Sequence, residues 1–500
     1  MTNSLVTSVL LASGVGELRE ELVEQLQPAV EALVETVVKF VLVKPSPAAT
    51  LTFEQQLERQ ARELNRLAVA WAYNRPEADG PESLPHDIRY EGDGYRRLNE
   101  ATPNRYVATP FGTIVLWRHG YRSWSREDGL PTIFPQEQRL GLVEGATPAL
   151  LERVGRYLAE AGATQDSVLR RLREQHGVTW GVKRLRAAAD AMARMMDEHR
   201  QECQVQRLLE LLQQAEASRG RHRPVLSVGR DGITLWTQPH GFFEVATSAT
   251  IAVLDRRGQR LGTVYLAYAP ELGQGTMTDA LTQLLTDVLA AWAGPLPRLC
   301  YVTDAGDQET AYYRKVLRPM RHPRTGRRLE WFWIVDFCHA AQRLTVMAEA
   351  IFGAGRAAAT WAAKMRKLLK QPNGPARVLW SAAKLRANRG LRSGQKKAFE
   401  RAYNYLRTRT RYLRYAEYRR LNLPLGSGLT EAACKTIYTS RLKLSGMRWK
   451  RAGAQTILTL RVILLSGTWN ETYEAARLSH TKTLPQPYAG PGDHPQKIAA

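Results

Sequence analysis

Three carboxylates stand out from their surroundings. Asp231 lies in "SVGRDG" and Asp304 in "YVTDAG", both in runs of β-forming residues, while Glu431 lies in "GSGLTEAACK" (426–435) within the most basic part of the chain. Carboxylates gathered in one place repel each other unless a divalent cation sits between them. Three of them could hold two Mg²⁺ or Mn²⁺ ions about 4 Å apart, the arrangement that aligns attacking and leaving oxygens across a phosphodiester. On this reading Glu431 stays acidic among bases because it holds metal, while the surrounding Lys and Arg hold phosphates. Taken singly, each acid has a plainer use as a turn or cap residue. The elements that carry them therefore decide.

Those elements change texture after "EASRGRHRP" (216–224). "VLSVGRDGITLW", "FFEVATSATIAVLD" and "RLGTVYLAYAP" read as three strands, "MTDALTQLLTDVLAAWAG" as a helix, "RLCYVTDAG" as a strand, "ETAYYRKVL" as a helix and "LEWFWIVDFCHA" as a strand entering a helix. This is an α/β order, a mixed sheet with helices on its faces, and it is the order of the ribonuclease H-like fold. In that topology the first and fourth strands are neighbours, which brings Asp231 and Asp304 together. In "DFCHA", Asp336 and His339 stand three apart at a strand-to-helix junction. Both could face the centre, His339 contacting a phosphate or ordering a ligand, or Asp336 could simply cap the following helix.

Upstream, Leu26, Val30, Leu33, Val37 and Phe40 have helical spacing, with Pro28 limiting the start of that helix. "KPSPAAT" reads as a linker, and "TFEQQLERQARELNRLAVAWAY" as a second helix with Thr52 and Gln55 as caps. Self-association and ordinary packing are both open uses for this pair. "YVATPFGTIVLWRH" predicts a hairpin, and "RHGYRSWSR" after it is either a DNA contact or a solvated strand edge. "TQDSVLRRLREQHGVTWGVKRLRAAADAM" predicts a helix, a turn at Gly177 and a second helix carrying Lys183, Arg184 and Arg186. That is the layout of a DNA-reading helix-turn-helix and equally of a plain helical hairpin.

The formal net charge is +23, and residues 351–461 account for all of it, with 26 Lys and Arg against three Glu and no Asp. A local excess of this size points to a polyanion, nucleic acid first. In "RLKLSGMRWKRAGAQ", Arg441, Lys443, Arg448 and Lys450 flank Trp449, and Lys435 follows Glu431 by four residues. Such a set suits phosphate contacts and stacking on an unpaired base, or a packed Trp among solvated bases. Gly426 and Gly428 are expected to form a tight turn before the Glu431 helix. The four cysteines form no CxxC pair and predict neither a zinc ribbon nor disulfides. No stretch is apolar and long enough to span a membrane and the N-terminus lacks a basic leader, so a cytoplasmic, nucleoid-associated protein is expected.

"GSGLTEAACKTIYTSRLKLSGMRWKRAGAQTILTLRVILLSGTW", "IVDFCHAAQRL" and "RYVATPFGTIVLWRHGYR" together resemble insertion-sequence transposases of the ISKra group, within the Mutator-like DDE superfamily. The likeness runs over about residues 50–470. The resemblance implies cleavage at transposon ends and joining to target DNA, with Asp231, Asp304 and Glu431 as catalytic metal ligands, two Mg²⁺ or Mn²⁺ ions, double-stranded DNA as partner, and a homodimer or larger assembly. Departures from the family pattern are Ala305 in place of Gly after the second acid, Cys338 in place of an aromatic, and the lack of an N-terminal cysteine pair. A regulator that binds DNA without cutting it is the competing expectation. The expected division is an N-terminal helix and linker (1–50), a helix plus hairpin region (51–147), a helix-turn-helix-like region (148–215), the first part of the core (222–345), a basic helical insertion (346–421), the last core helices (422–470) and a disordered tail (471–500).

Overall fold

The computed structural model describes residues 3–77, 79–99, 105–124, 130–239, 241–481 and 485–488. The chain divides into two units, one of Met1–Leu158, Ala163–Met195 and Tyr473–Ala500, the other of Ala159–Gly162 and Met196–Thr472. No helix among the described residues is long and apolar enough to cross a membrane.

The first unit opens with two long helices, α1 (Asn3–Leu42) and α2 (Pro47–Asn74). They run antiparallel: Phe40 stacks on Phe53 with centroids 4.1 Å apart, Gln60 donates to Thr36 at 2.6 Å, and the Trp71 indole donates to Glu21 at 3.0 Å. Two expectations are corrected here. Pro28 sits inside α1, where it forgoes one backbone bond without ending the helix. The cap of α2 is Ser46, whose hydroxyl accepts from Ala49 N with Pro47 at the first helical position, whereas Thr52 donates back to Ala48 O within the helix.

Strands β1 (Asp87–Tyr90) and β2 (Asp93–Arg97) pair antiparallel, and β3 (Arg105–Thr109) and β4 (Gly112–Leu116) form the expected hairpin; β5 (Tyr121–Ser123) pairs with β2. Ser125 and Arg126 of the basic-aromatic stretch lie outside the described residues. Short α3 (Pro135–Arg139) and α4 (Pro148–Ala159) lead to α5 (Gln165–His176), capped by Thr164 and closed by Gly177 in the left-handed region at φ 62°, and then to the 36-residue α6 (Val182–Ala217). Gly177 is needed here because a left-handed C-cap penalises any side chain with a Cβ.

The second unit holds the main sheet. Strands β6 (Val225–Gln238), β7 (Phe242–Leu254) and β8 (Arg260–Tyr268) form an antiparallel meander; α7 (Gly275–Ala291), β9 (Arg298–Thr303), α8 (Asp307–Tyr312) and β10 (Trp331–Val335) follow. The spatial order is β10-β9-β6-β7-β8, with β9 parallel to both β6 and β10. This is a mixed α/β architecture. Helices α9 (Phe337–Phe352), α10 (Arg356–Leu369), α11 (Gly374–Ala387), α12 (Ser393–Thr408), α13 (Tyr415–Arg420) and α14 (Gly428–Cys434) come next. Two-residue β11 (Trp449–Lys450) then pairs with the far end of β6, and α15 (Arg451–Ser466) follows. Phe399, Leu406, Tyr412, Tyr415 and Tyr418 are buried in the same core as the sheet residues Val228, Tyr301 and Ile334. The basic helices are therefore part of that core, not a separable insertion. The tail also differs from expectation: α16 (Trp469–Thr481) is helical and β12 (Gln486–Pro487) pairs with β1, because Tyr473 anchors the helix to Pro148 O at 2.7 Å. Residues 482–484 and 489–500 of the tail lie outside the described residues.

Candidate active site

The parallel register of β6 and β9 sets Gly229 opposite Val302. Two residues beyond this last pair, Asp231 within β6 and Asp304 just past the end of β9 come level in register. Val335 pairs with Thr303, so Asp336 is level with Asp304 but a strand further out. Asp304 and Asp336 thus follow the C-terminal ends of β9 and β10, and Asp231 lies within β6 just past its last pairing with β9.

Glu431 reaches this edge because α14 lies against the face of β6 and β7. Gly229 permits it: a Cβ there would fall 1.9 Å from Thr430 Oγ1. Thr430 Oγ1 meets Thr250 Oγ1 at 2.9 Å, and one turn later Cys434 Sγ lies 3.2 Å from Ser248 Oγ and donates to Asp231 Oδ2 at 3.6 Å. Four residues of helix rise about 6 Å and two of strand about 6.7 Å, so the helix steps in phase with the strand pairs beneath it. Burial, reinforced by the Asp231 charge, pushes the Cys434 thiol up to about 12, and it remains a proton donor to that carboxylate. Between Thr430 and Cys434, Glu431 turns toward a cleft of about 200 Å³ lined by Asp231, Asp304, His339, Gln342 and Ser427.

The electrostatics of the cleft separate the acids. Burial raises the Asp231 carboxyl; the bond from Gly232 N opposes this, and the charges of Asp304 and Glu431 add to it. Asp231 is thus a carboxylate that a cation would stabilise. Asp336 is the reverse. Burial pushes it up, but bonds from the His339 ring and backbone and from the Ser427 N–H and hydroxyl outweigh this and bring it down to about 2. Its Oδ1 accepts from His339 N at 2.7 Å and Nδ1 at 3.2 Å, and its Oδ2 accepts from Ser427 Oγ at 3.0 Å and from Ser427 N. Asp336 therefore caps α9, the plainer of its two expected roles, and also clamps the segment that carries Glu431. His339 is raised by its bond to Asp336, against burial, with the charges of Asp304 and Glu431 contributing.

Among the described residues one trio of possible ligands has its atoms close enough to share an ion; Asp231, Asp304 and Glu431 line the same cleft but are not such a trio. Asp336, His339 and Glu431 have ligand atoms within 4.8 Å of one another, and Glu431 Oε1 lies 3.8 Å from His339 Nδ1. An ion on that set would compete with the hydrogen bonds that already occupy both oxygens of Asp336. Asp231, Asp304 and Glu431 offer carboxylate oxygens with fewer commitments: Asp304 Oδ1 accepts from Gly306 N at 3.0 Å, and Glu431 accepts from Ser427 Oγ at 3.1 Å. All-oxygen donors fit Mg²⁺ or Mn²⁺.

Sequence reasoning missed several residues that shape this site. Tyr405 on α12 and Arg409, its C-cap residue, donate to Asp304 O at 2.6 Å and Ala305 O at 2.9 Å and fix the turn bearing the second acid. Their signal was hidden in a run read only as phosphate-binding charge. Ala305 has φ 62°, the left-handed conformation that explains why glycine is the residue expected there. Glu309, raised by burial and by the neighbouring Asp304, is a further half-buried acid on α8. Neither Gly426 nor Gly428 has a positive φ. The expected turn role gives way at Gly426 to clearance, since a Cβ there would lie 3.2 Å from Asp336 Oδ2.

The expected DNA contacts sort differently. Lys183, Lys435, Lys443, Arg448 and Lys450 are exposed. Arg441 is 1% exposed, so it is a packed side chain over the Trp449 ring and not a surface phosphate contact. Trp449 is half-buried and donates its indole N–H to Leu442 O at 2.8 Å, the packed alternative. Arg184 is held by Gly145 O at 3.0 Å and stacks over Trp180, and Arg186 donates to Gln165 at 3.0 Å. Arg184 thus ties α6 to the Glu144–Gly145 turn, and exposed Arg186 bridges the two helices of the hairpin. No protein-family model matches the chain, and no curated protein matches it either.

Proposed function

We propose that this chain is a DNA transposase of the DDE type, similar to the ISKra group, built on a ribonuclease H-like core, which cleaves phosphodiesters at element ends and joins the freed 3′-hydroxyl to target DNA. The observation that carries this reading is the convergence of Asp231, Asp304 and Glu431 on one cleft, with Asp231 raised by burial and by the charges of the other two. A pair of divalent ions supplies the positive charge that such a displacement needs on both its attacking and leaving oxygens. Asp231, Asp304 and Glu431 would hold them. Ser427 and Asp336 orient Glu431, Tyr405 and Arg409 hold the Asp304 turn, and His339, raised by its bond to Asp336, lies where a phosphate oxygen could meet its ring.

The surplus of base over 351–461 supports a nucleic-acid substrate, with exposed Lys364, Lys367, Arg377, Lys384, Lys396 and Arg401 spread over α10–α12. The test is a nicking assay on duplexes carrying the element's ends, with Mg²⁺ or Mn²⁺. Metal-dependent cleavage supports the transposase. End binding without any nicking sinks it and leaves the DNA-binding regulator.

A further inference from the structure

The acidic cleft contains a nitrogen donor that ions held by carboxylates alone leave unused. His339 Nδ1 lies 3.2 Å from Asp336 Oδ1 and 3.8 Å from Glu431 Oε1. Among the described residues these are the three side chains whose ligand atoms all lie within 4.8 Å of one another, whereas Asp231, Asp304 and Glu431 only line the same cleft. Glu431 therefore stands with His339 and Asp336, and Ser427 holds it there, its hydroxyl 3.1 Å from Glu431 Oε1 and 3.0 Å from Asp336 Oδ2. The set is open to solvent on one side: the side chains of His339 and Glu431 are 30% and 46% exposed, and that of Asp336 is 1% exposed. Exposed Cys338 adds a thiol to the lining of the same cleft.

We propose that Asp336, His339 and Glu431 form a second, regulatory metal site, one for a zinc-class cation, and that filling it keeps Glu431 from the strand-cleaving centre. Donor chemistry selects the ion. Mg²⁺ seeks an octahedron of oxygens and gives up its waters reluctantly, so an imidazole offers it little. Zinc needs only four ligands and takes imidazole nitrogen, carboxylate oxygen and thiolate alike. The contest at Asp336 sharpens the choice. An ion on Nδ1 must displace the hydrogen bond between that atom and Oδ1, but the His339 backbone N–H and the Ser427 N–H and hydroxyl can all remain on the carboxylate. Only a cation with strong affinity for imidazole offsets that loss. Zinc bound in this way would fix Glu431 where it already lies, and a ligand that favours one of two arrangements shifts the balance toward it. Inhibition presupposes the cleavage chemistry proposed above, and zinc binding does not.

The test is calorimetric titration of the full chain with Zn²⁺, without DNA and with Mg²⁺ in excess to occupy all-oxygen sites. One tight equivalent is expected. His339→Gln and Glu431→Gln, which take away a ligand and little volume, should each weaken it at least about tenfold with the circular-dichroism spectrum unchanged, while Asp304→Asn should keep it. Added to the Mg²⁺-supported nicking assay, one equivalent of zinc should stop cleavage by the wild type, and a zinc-selective chelator should restore it. Absence of the tight equivalent, its survival in His339→Gln, its loss in Asp304→Asn, or nicking indifferent to bound zinc would each overturn the proposal. Zinc held by these three residues in a chain that never nicks in Mg²⁺ alone would count against the transposase and for the metal site.

Discussion

Asp304 and Asp336 end neighbouring strands at the same level, and the difference between them lies in what their oxygens already do. Asp336 is 1% exposed with both oxygens accepting from His339 and Ser427, whereas Asp304 faces the cleft with one backbone donor on it. Asp304→Asn is therefore expected to abolish cleavage in Mg²⁺ and Mn²⁺ alike with DNA binding intact. Asp336→Asn, whose amide can still cap α9, should lower cleavage only partly. A dead Asp336 variant beside an active Asp304 variant would reverse the assignment. A second residue-scale prediction concerns stability. His176 is buried in the first unit; its Nδ1 lies 2.9 Å from Pro110 O and its Nε2 3.0 Å from the Tyr157 hydroxyl. Burial lowers its pKa, opposed by the Pro110 bond and aided by Arg153. The unfolded chain then binds this proton more readily than the folded one. The contribution is complete above the ordinary histidine value of about 6.5 and is lost as pH falls below it. Thermal unfolding followed from pH 7.5 to pH 5 should show Tm falling, and His176→Gln should lower Tm at pH 7.5 while flattening the slope.

At the scale of elements, the site depends on how α14 is seated. Gly229→Ala would drive a methyl into Thr430 and displace the helix that carries Glu431. We expect cleavage to drop by at least about tenfold with global stability changed by only about 1–3 kcal/mol, and Thr430→Ala in the same chain to recover part of the activity. Equal activity in Gly229→Ala and wild type would show that Glu431 does not need this seat. The strand order could be read in the sequence because alternating apolar residues and the Asp-Ala-Gly and Asp-Phe-Cys-His junctions mark where each strand ends. The level placement of Asp231 and Asp304 followed from that order. What could not be read were contacts made across long separations: Tyr405 and Arg409 reach the Asp304 turn from about a hundred residues away, and Thr430 and Cys434 find their strand partners some 180 residues back. Local spacing carries no information on such pairs. The same limit explains Arg441, whose basic neighbours suggested a surface while its packing against Trp449 removed it from one.

For the whole molecule, the charge of the 351–461 segment should govern nonspecific DNA affinity. The logarithm of affinity is expected to fall with the logarithm of salt by about 0.9 per phosphate contacted. Removing the segment is a poor test, because its helices supply part of the core. Replacing Lys364, Lys367, Lys384 and Lys396 by Gln keeps the fold and should flatten the slope; an unchanged slope would place the main contacts elsewhere. The proposed transposase stands on Asp231, Asp304 and Glu431 as the metal ligands of a strand-cleaving centre. Its most direct test is anomalous diffraction from Mn²⁺ in crystals of the protein with an end duplex. Two peaks about 4 Å apart, bounded by those three carboxylates and absent from crystals of Glu431→Gln, are expected. A single peak among Asp336, His339 and Glu431, or none in the cleft, would contradict it.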